Sequence, residues 1–237
     1  MLKAILFDLD GTLLPMDADE FTAAYFNLLG DVLAPHGYDR KLFGKAMWKG
    51  LDAMLNNDGE AINADMFWRA FSSVFGDKVY ADMPIFDGFY KNEFHSLKAQ
   101  CGANPRANEI IKRLKRDGYK VVLATNPVFP LEAYRARTSW TGVDINDFDL
   151  VTTYENSHYC KPTAGYYAEI ARTIGVNASE CLMVGNDVGD DMPAADIGMN
   201  VFLMPEHIIN KQEKTIENYP RGGFDELLDH IVNFDKN

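Results

Sequence analysis

The chain has few cysteines, and those it has form no recognisable pattern. Cys101, Cys160 and Cys181 are odd in number among 237 residues, and no two of them stand in a CxxC spacing. A disulfide scaffold is therefore excluded, and we expect a reducing compartment, the cytoplasm. The five histidines are scattered along the sequence, which supports neither a zinc site nor a serine hydrolase triad.

Positive charge and long apolar runs are also scarce. The chain carries 23 Lys and Arg against 35 Asp and Glu, a formal net charge of −12, and no basic block stands out. We therefore expect neither nucleic acid nor an anionic membrane as a partner. No run reaches the roughly 18 apolar residues of a membrane span. The first apolar stretch is interrupted by Asp8 and Asp10, so it does not resemble a signal peptide.

What the sequence does contain is a series of short apolar runs that predict strands. They lie in the segments 3–15, 119–126, 148–156, 181–191 and 200–204. Between two of them, residues 107–117 show helical periodicity, and Gly118 follows as a helix-ending residue. Buried strands that alternate with amphipathic helices predict an α/β fold with a doubly wound parallel sheet, covered on both faces.

Residues 16–96 differ, because helical patterns follow one another there without a strand pattern. Asp19 is predicted to cap the first helix, and further helices are expected near 65–75 and 85–97. Such an insert after the first strand is typical of a lid over that strand's end. We expect its many aromatic side chains to pack mainly between its helices. Two domains are predicted. The α/β core comprises residues 1–15 and 97–237, and the all-helical cap comprises residues 16–96.

Side chains that can carry chemistry follow the predicted strands, and the carboxyl ends of parallel strands meet at one edge of a sheet. Two carboxylates about 4 Å apart repel by about 4 kcal/mol at an effective dielectric near 20, so several together require a cation. Oxygen ligands suit Mg²⁺. The sequence therefore predicts one pocket with a magnesium site. Its candidate residues are Asp8, Asp10, Thr125, Asn126, Lys161, Asp187, Asp190 and Asp191.

The segment DLDGT also invites comparison with a calcium-binding EF-hand loop. That loop needs a third oxygen ligand before its glycine and a glutamate at its twelfth position. Gly11 comes too early, and Asp19 stands at the twelfth position when Asp8 is the first. The calcium-loop interpretation therefore fails.

Four motifs, in order along the chain, resemble those of the haloacid dehalogenase-like superfamily. The first motif, DLDGT, contains Asp8 and Asp10, and the second, LATN, contains Thr125. The third, CKP, contains Lys161, and the fourth, GNDVGDD, contains Asp187 and Asp191. The last motif departs from the family's commonest pattern because Asn186 stands between Gly185 and Asp187. The resemblance spans essentially the whole chain, since the helical insert resembles the family's C1-type cap. It implies a Rossmann-like core.

The resemblance also implies a reaction, the hydrolysis of a small phosphomonoester through an aspartyl-phosphate intermediate. Asp8 would be the nucleophile, and Asp10 would protonate the leaving alcohol and then activate water. Thr125 and Asn126 would bind phosphate, and Lys161 would offset negative charge. Mg²⁺ would be held, directly or through water, by Asp187 and Asp191 together with Asp8 and the backbone carbonyl of Asp10.

Some residues have simpler interpretations from the sequence alone. An isolated lysine before a proline, as Lys161 is, could be a solvated loop residue. Asp190 is expected to be a solvated residue at a helix N-terminus and is left out of the metal shell. Cys160 is expected to be a partly buried, inert thiol.

Asp10 favours phosphatase or phosphomutase chemistry, because dehalogenases and phosphonatases of the superfamily lack an aspartate at this position. Simple hydrolysis is the default, since mutase chemistry requires tight exclusion of water. The alternatives are a phosphomutase of the same fold and a non-catalytic phospho-aspartate switch or binding protein. The sequence gives neither the substrate nor the oligomeric state.

Overall fold

The computed structural model describes residues 1–234, and its centre is a five-stranded parallel sheet. The strand order is β3-β2-β1-β4-β5, so β1 lies in the middle, between β2 and β4. The strands are β1 (Ala4–Phe7), β2 (Lys120–Leu123), β3 (Leu150–Val151), β4 (Cys181–Gly185) and β5 (Asn200–Leu203). The reversal of strand order at β1 gives a doubly wound sheet, as predicted.

Six α-helices of the described residues lie between β1 and β2, and the first five are α1 (Ala18–Leu33), α2 (Arg40–Leu55), α3 (Asn63–Phe75), α4 (Lys78–Ala81) and α5 (Met83–Lys91). The others are α6 (Pro105–Arg116), α7 (Leu131–Trp140), α8 (Ala164–Ile174) and α9 (Phe224–Phe234). The α/β core with a helical cap after the first strand is confirmed. No helix of the described residues has both the length and the apolar character needed to cross a membrane.

The central strand β1 is buried on both faces. Ile5 and Phe7 pack into the larger of two hydrophobic clusters, while Ala4 and Leu6 pack into the other. A strand with no face toward water must be apolar along its whole length, which explains the run AILF. The four residues of β1 must therefore be apolar, and Asp8 is the first residue after them that can be polar.

Helix α1 begins one residue before the predicted cap. Its N-cap is Asp17, whose Oδ1 accepts hydrogen bonds from the backbone N–H groups of Asp19 at 3.0 Å and Glu20 at 2.9 Å. The prediction of Asp19 as the cap was wrong, because Asp19 already lies in the first helical turn. Its negative charge is favourable there, close to the positive end of the helix dipole.

The helix predicted near 85–97 is broken in the structure. Helix α5 ends at Lys91, and a 3-10 helix, Glu93–Gln100, follows. Between them Asn92 leaves the helical conformation, with φ −122° and ψ −83°. Its side-chain Nδ2 donates to the carbonyl of Gly88 at 2.7 Å, an asparagine–backbone bond that competes with continued helix.

Candidate active site

One pocket collects every site residue that the sequence predicted. It encloses about 140 Å³ at the carboxyl ends of β1, β2 and β4. Its walls also include Ala18 of the first cap helix, so the cap closes one side of it. The lining residues are Asp8, Asp10, Ala18, Thr125, Asn126, Lys161, Asn186, Asp187, Asp190, Asp191 and Ile209.

The turn after β1 places Asp8 and Asp10 at the pocket. Gly11 has a positive φ of +77°, and a Cβ atom there would lie 2.3 Å from Nδ2 of Asn186. Both the backbone conformation and this close approach require glycine. Asn186 in turn accepts a hydrogen bond from the Thr12 hydroxyl at 3.0 Å and donates to the carbonyl of His207 at 2.6 Å. The residue by which the fourth motif departs from the family pattern therefore fixes the turn of the first motif.

Lys161 lies at the floor of the pocket and is buried. Its Nζ contacts Oδ1 of Asp8 at 2.8 Å and Oδ1 of Asp191 at 2.6 Å. Burial acts to lower the pKa of Lys161, but the charges of Asp191 and Asp8 outweigh burial and raise the pKa well above its ordinary value. Lys161 is therefore a permanent cation between two carboxylates, and the solvated-loop interpretation is wrong.

The two oxygens of Asp191 are both engaged by the protein. Oδ1 contacts Lys161, and Oδ2 accepts a hydrogen bond from the backbone N–H of Asp187 at 2.9 Å. Asp191 is completely buried, and burial raises its pKa against the opposing effect of Lys161. Asp191 therefore acts here as an anchor for Lys161.

Asp187 and Asp190 add negative charge at the rim. Oδ1 of Asp187 accepts hydrogen bonds from the backbone N–H groups of Gly189 at 2.7 Å and Asp190 at 3.1 Å. Asp190 lies just before the 3-10 helix Met192–Ile197, close to the predicted helix N-terminus, but it is half-buried and lines the pocket. Burial and the charge of Asp187 raise the pKa of Asp190. The pocket thus contains more carboxylates than positive charges, and a bound cation would neutralise the excess negative charge.

Thr125 and Asn126 follow β2 and form another wall. The carbonyl of Thr125 accepts hydrogen bonds from the hydroxyls of Thr152 at 2.7 Å and Tyr166 at 2.8 Å, which fix the backbone at the strand end. Within residues 1–234, the side-chain oxygen of Asn126 is buried without a hydrogen-bond partner. An amide oxygen is an acceptor, so this atom is available to a hydrogen-bond donor on a ligand, since few native buried polar groups lack a partner.

Arg137 on α7 is a residue that the sequence reasoning missed. Its side chain is only 1% exposed, and its Nη2 contacts Oδ1 of Asp10. The guanidinium carbon lies 4.9 Å from the ring centre of Phe21 and 5.3 Å from that of Phe129. Burial lowers the pKa of Arg137 to about 9, so it keeps its charge at neutral pH. The available signal was its position three residues after Tyr134, on the buried face of α7.

We expect Arg137→Met to lower kcat by roughly ten- to hundredfold, because Asp10 would lose the group that orients it. Stability should fall, because Asp10 loses its partner, but by less than for a fully buried pair, since Asp10 is 32% exposed and can be solvated. Steady-state kinetics and denaturant unfolding test both parts. Arg135→Met is the matched control, because Arg135 on the same helix is 46% exposed and its contact to Glu132 is long, at 3.6 Å. A parent-like kcat in Arg137→Met would contradict the positioning role.

Gly185, the last residue of β4, allows Asp191 its position. A Cβ atom on Gly185 would lie 2.0 Å from Oδ2 of Asp191. We expect Gly185→Ala to displace that carboxylate, lowering both activity and the free energy of unfolding, the latter by about 1–3 kcal/mol. Gly44→Ala in α2 is the control: no atom lies within 4 Å of the added Cβ, and alanine should stabilise the helix by about 0.5–1 kcal/mol. Equal unfolding midpoints for Gly185→Ala and the parent would contradict the packing argument.

Comparisons with known proteins agree with this geometry. A family model described as haloacid dehalogenase-like hydrolase matches residues 2–196. The chain is 27% identical to a phosphoglycolate phosphatase of Nitrosospira multiformis, over 86% of this chain and 83% of the relative. It is also 27% identical to a pyrimidine 5′-nucleotidase of Streptococcus pneumoniae, over 99% and 96% of the two chains.

Solved structures share the fold. The structure of a predicted phosphoglycolate phosphatase from Haemophilus somnus superposes with a TM-score of 0.59, at 17% identity, over 97% of this chain and 98% of that one. The structure of a phosphatase from Thermococcus onnurineus superposes with a TM-score of 0.57, at 19% identity, over 97% and 98%. At such identities the likeness shows the fold alone. The family model, which matches most of the chain, shows that this protein belongs to the haloacid dehalogenase-like hydrolases.

Proposed function

We propose that the protein is a Mg²⁺-dependent phosphatase that hydrolyses a small phosphomonoester through an aspartyl-phosphate on Asp8. The observation that carries the proposal is the buried Lys161, held between Asp8 and Asp191 at the floor of a pocket that Thr125 also lines. Relatives that align over most of their length include phosphatases for phosphoglycolate and glyceraldehyde 3-phosphate and a pyrimidine 5′-nucleotidase. The chain is a phosphoric monoester hydrolase.

Asp8 has the properties of a nucleophile in phosphoryl transfer. Its Oδ1 is fixed by Lys161, which leaves Oδ2 as the atom available to attack phosphorus. The charge of Lys161 lowers the repulsion between the carboxylate and the phosphate. The hydroxyl of Thr125 and the side-chain N–H of Asn126, on the wall formed by the end of β2, would donate hydrogen bonds to the phosphate oxygens. The phosphorus–oxygen bond to the leaving alcohol breaks as the bond to Asp8 forms.

Asp10 would supply the proton that the leaving alkoxide needs. It follows Asp8 by two residues in the same turn, and its side chain is 32% exposed. It would return to the carboxylate form and remove a proton from the water that hydrolyses the aspartyl-phosphate. Arg137 fixes one of its oxygens and leaves the other free for this transfer.

The donor set fits Mg²⁺. Mg²⁺ prefers oxygen ligands and usually combines one or two protein carboxylates with substrate phosphate and water. Asp8, Asp187 and the backbone carbonyl of Asp10 would supply the protein oxygens. Asp191 would act through Lys161 or through water, because its two oxygens already have protein partners. Within residues 1–234, no three His, Cys, Asp or Glu side chains form a metal cluster by themselves.

When bound, Mg²⁺ would neutralise and orient the phosphate, so activity should require it. The test is release of inorganic phosphate from a panel of small phosphomonoesters, with Mg²⁺ and with a chelator. We expect release with the metal and a loss of at least about a hundredfold with the chelator, restored by added Mg²⁺. Equal rates in the two conditions would contradict the metal requirement, and no release from any ester would contradict the phosphatase assignment.

The alternatives have less support. A receiver-type switch does not explain the match of residues 2–196 to a hydrolase family. A phosphomutase would need the aspartyl-phosphate to be shielded from water until an intermediate had reoriented. The side-chain exposure of Asp10, at 32%, favours hydrolysis.

A further inference from the structure

A second cavity, which we call the aromatic cavity, lies between the cap helices and the loop after β2. Its walls come from α1, α2, α3 and α5 and from residues such as Val128, Phe129 and Tyr154 of the core. It encloses about 90 Å³. A single water needs roughly 10–15 Å³ on the same measure. The aromatic cavity therefore has room for several non-hydrogen atoms, about as many as one ring contains.

The chemistry of these walls is uniform. Eight of the fourteen lining residues are aromatic, and among the described residues that line it none is Asp, Glu, Lys, Arg or His. A charged or heavily hydroxylated group would lose its hydration there without gaining ion pairs. A flat, uncharged ring could instead make offset or edge-to-face contacts with the walls.

The aromatic cavity also offers one hydrogen-bond donor. The hydroxyls of Tyr25 and Tyr90 lie 2.7 Å apart, both in the lining. Burial raises the pKa of both, so both keep their protons. Only one of the two protons can lie between the two oxygens. The other O–H has no acceptor within residues 1–234 and is available to a ligand.

The aromatic cavity neighbours the catalytic pocket along α1 and along the loop after β2, two segments that contribute lining residues to both. Ala18 lines the pocket and Thr22 lines the aromatic cavity, one turn apart on α1, about 5–6 Å. On the other wall, the guanidinium of Arg137 contacts Asp10 and packs over the ring of Phe129. In the function proposed above Asp10 protonates the leaving oxygen, so a ring on the leaving group would reach the aromatic cavity across a short spacer.

We infer, resting on the phosphatase function proposed above, that the aromatic cavity binds the leaving group of the substrate. The substrate is a phosphomonoester whose alcohol carries an uncharged aromatic ring with a hydrogen-bond acceptor, a short spacer away from the ester oxygen. A nucleoside 5′-monophosphate has this arrangement. Its sugar spans the helical turn between Ala18 and Thr22, its base fills the cavity, and a base carbonyl accepts the free O–H of the Tyr25–Tyr90 pair.

The test compares uridine 5′-monophosphate with ribose 5-phosphate, which carries the same phosphorylated sugar without the base. We expect kcat/KM for the nucleotide to exceed that for the sugar phosphate by at least about fivefold, the low end of the effect of stacking a base on aromatic side chains. Tyr25→Phe combined with Tyr90→Phe removes both hydroxyls, and with them the free O–H whichever tyrosine carries it, and should lower the ratio of the two kcat/KM values by about three- to tenfold. Tyr80→Phe is the matched control, since Tyr80 is 51% exposed and outside the lining.

The outcomes separate this inference from the function on which it rests. Metal-dependent hydrolysis of both compounds at equal kcat/KM would leave the phosphatase assignment intact and overturn the role of the aromatic cavity. Hydrolysis of other small phosphomonoesters but of neither of these two would do the same. Failure to hydrolyse any phosphomonoester would overturn the proposed function, and this inference with it. The comparison of substrates uses the parent protein, so it does not depend on how any variant folds.

Discussion

Asp8→Asn is expected to abolish phosphate release, by at least about 10⁴-fold in kcat, because a neutral amide cannot attack phosphorus in place of a carboxylate. The fold should survive the change. Asparagine has nearly the same shape, and Lys161 keeps its second partner, Asp191, at 2.6 Å. A sensitive phosphate assay with the best substrate of the panel measures the loss.

The control for this variant is a change of the same kind elsewhere. Asp229 is an exposed residue of α9 and does not line the pocket, so Asp229→Asn should match the parent in activity and stability. If the Asp8→Asn variant released phosphate as fast as the Asp229→Asn variant, Asp8 would have no part in the mechanism. An Asp8→Asn preparation that bound substrate but did not release phosphate would fit the nucleophile role.

Asp10→Asn should have the second largest effect, a loss of about 10²–10⁴-fold in kcat/KM for an alkyl phosphomonoester. The loss should depend on the leaving group, because an alkoxide needs a proton as it departs and a nitrophenolate does not. We therefore expect 4-nitrophenyl phosphate to lose far less kcat/KM than the alkyl ester. The ratio of the two losses is the measurement.

The control for Asp10→Asn is thermodynamic, because Asp10 also partners the buried Arg137. Removing one member of a buried pair can destabilise a protein by about 3–5 kcal/mol, and the partial exposure of Asp10 should reduce that loss. Denaturant unfolding of the variant shows whether enough folded enzyme remains for kinetics. An equal loss of kcat/KM for both esters in folded protein would contradict the general acid role.

The parts of the site that could be predicted from the sequence are those set by local chain geometry. An apolar run buried on both faces must give β1, and a polar pair directly after it must lie at the carboxyl edge of the sheet. The same argument places Thr125 after β2 and Asp187 after β4. The register pairs Phe7 with Leu123 and with Val184, so the three strands end level with one another.

What could not be predicted depends on contacts between distant segments. Arg137 lies 127 residues from Asp10, and no local pattern records their pairing. Asn186 bonds to Thr12 across 174 residues, so its role in shaping the turn of Gly11 was hidden behind an apparent departure from the motif. Helical periodicity identified apolar faces in the cap, but it could not say that Tyr25 and Tyr90 would meet across the aromatic cavity.

The most direct test of the central claim is to look for the phosphoryl group on Asp8 itself. Asp10→Asn with a nitrophenyl ester should form the aspartyl-phosphate and hydrolyse it slowly, because water activation is impaired while departure of the leaving group is not. The reaction is stopped in acid and the protein is digested and analysed by mass spectrometry. We predict a phosphoryl group on the peptide that contains Asp8, lost after treatment with hydroxylamine. Turnover of the ester with no phosphorylated Asp8 peptide at any time, or a phosphoryl group on a different residue, would contradict the account.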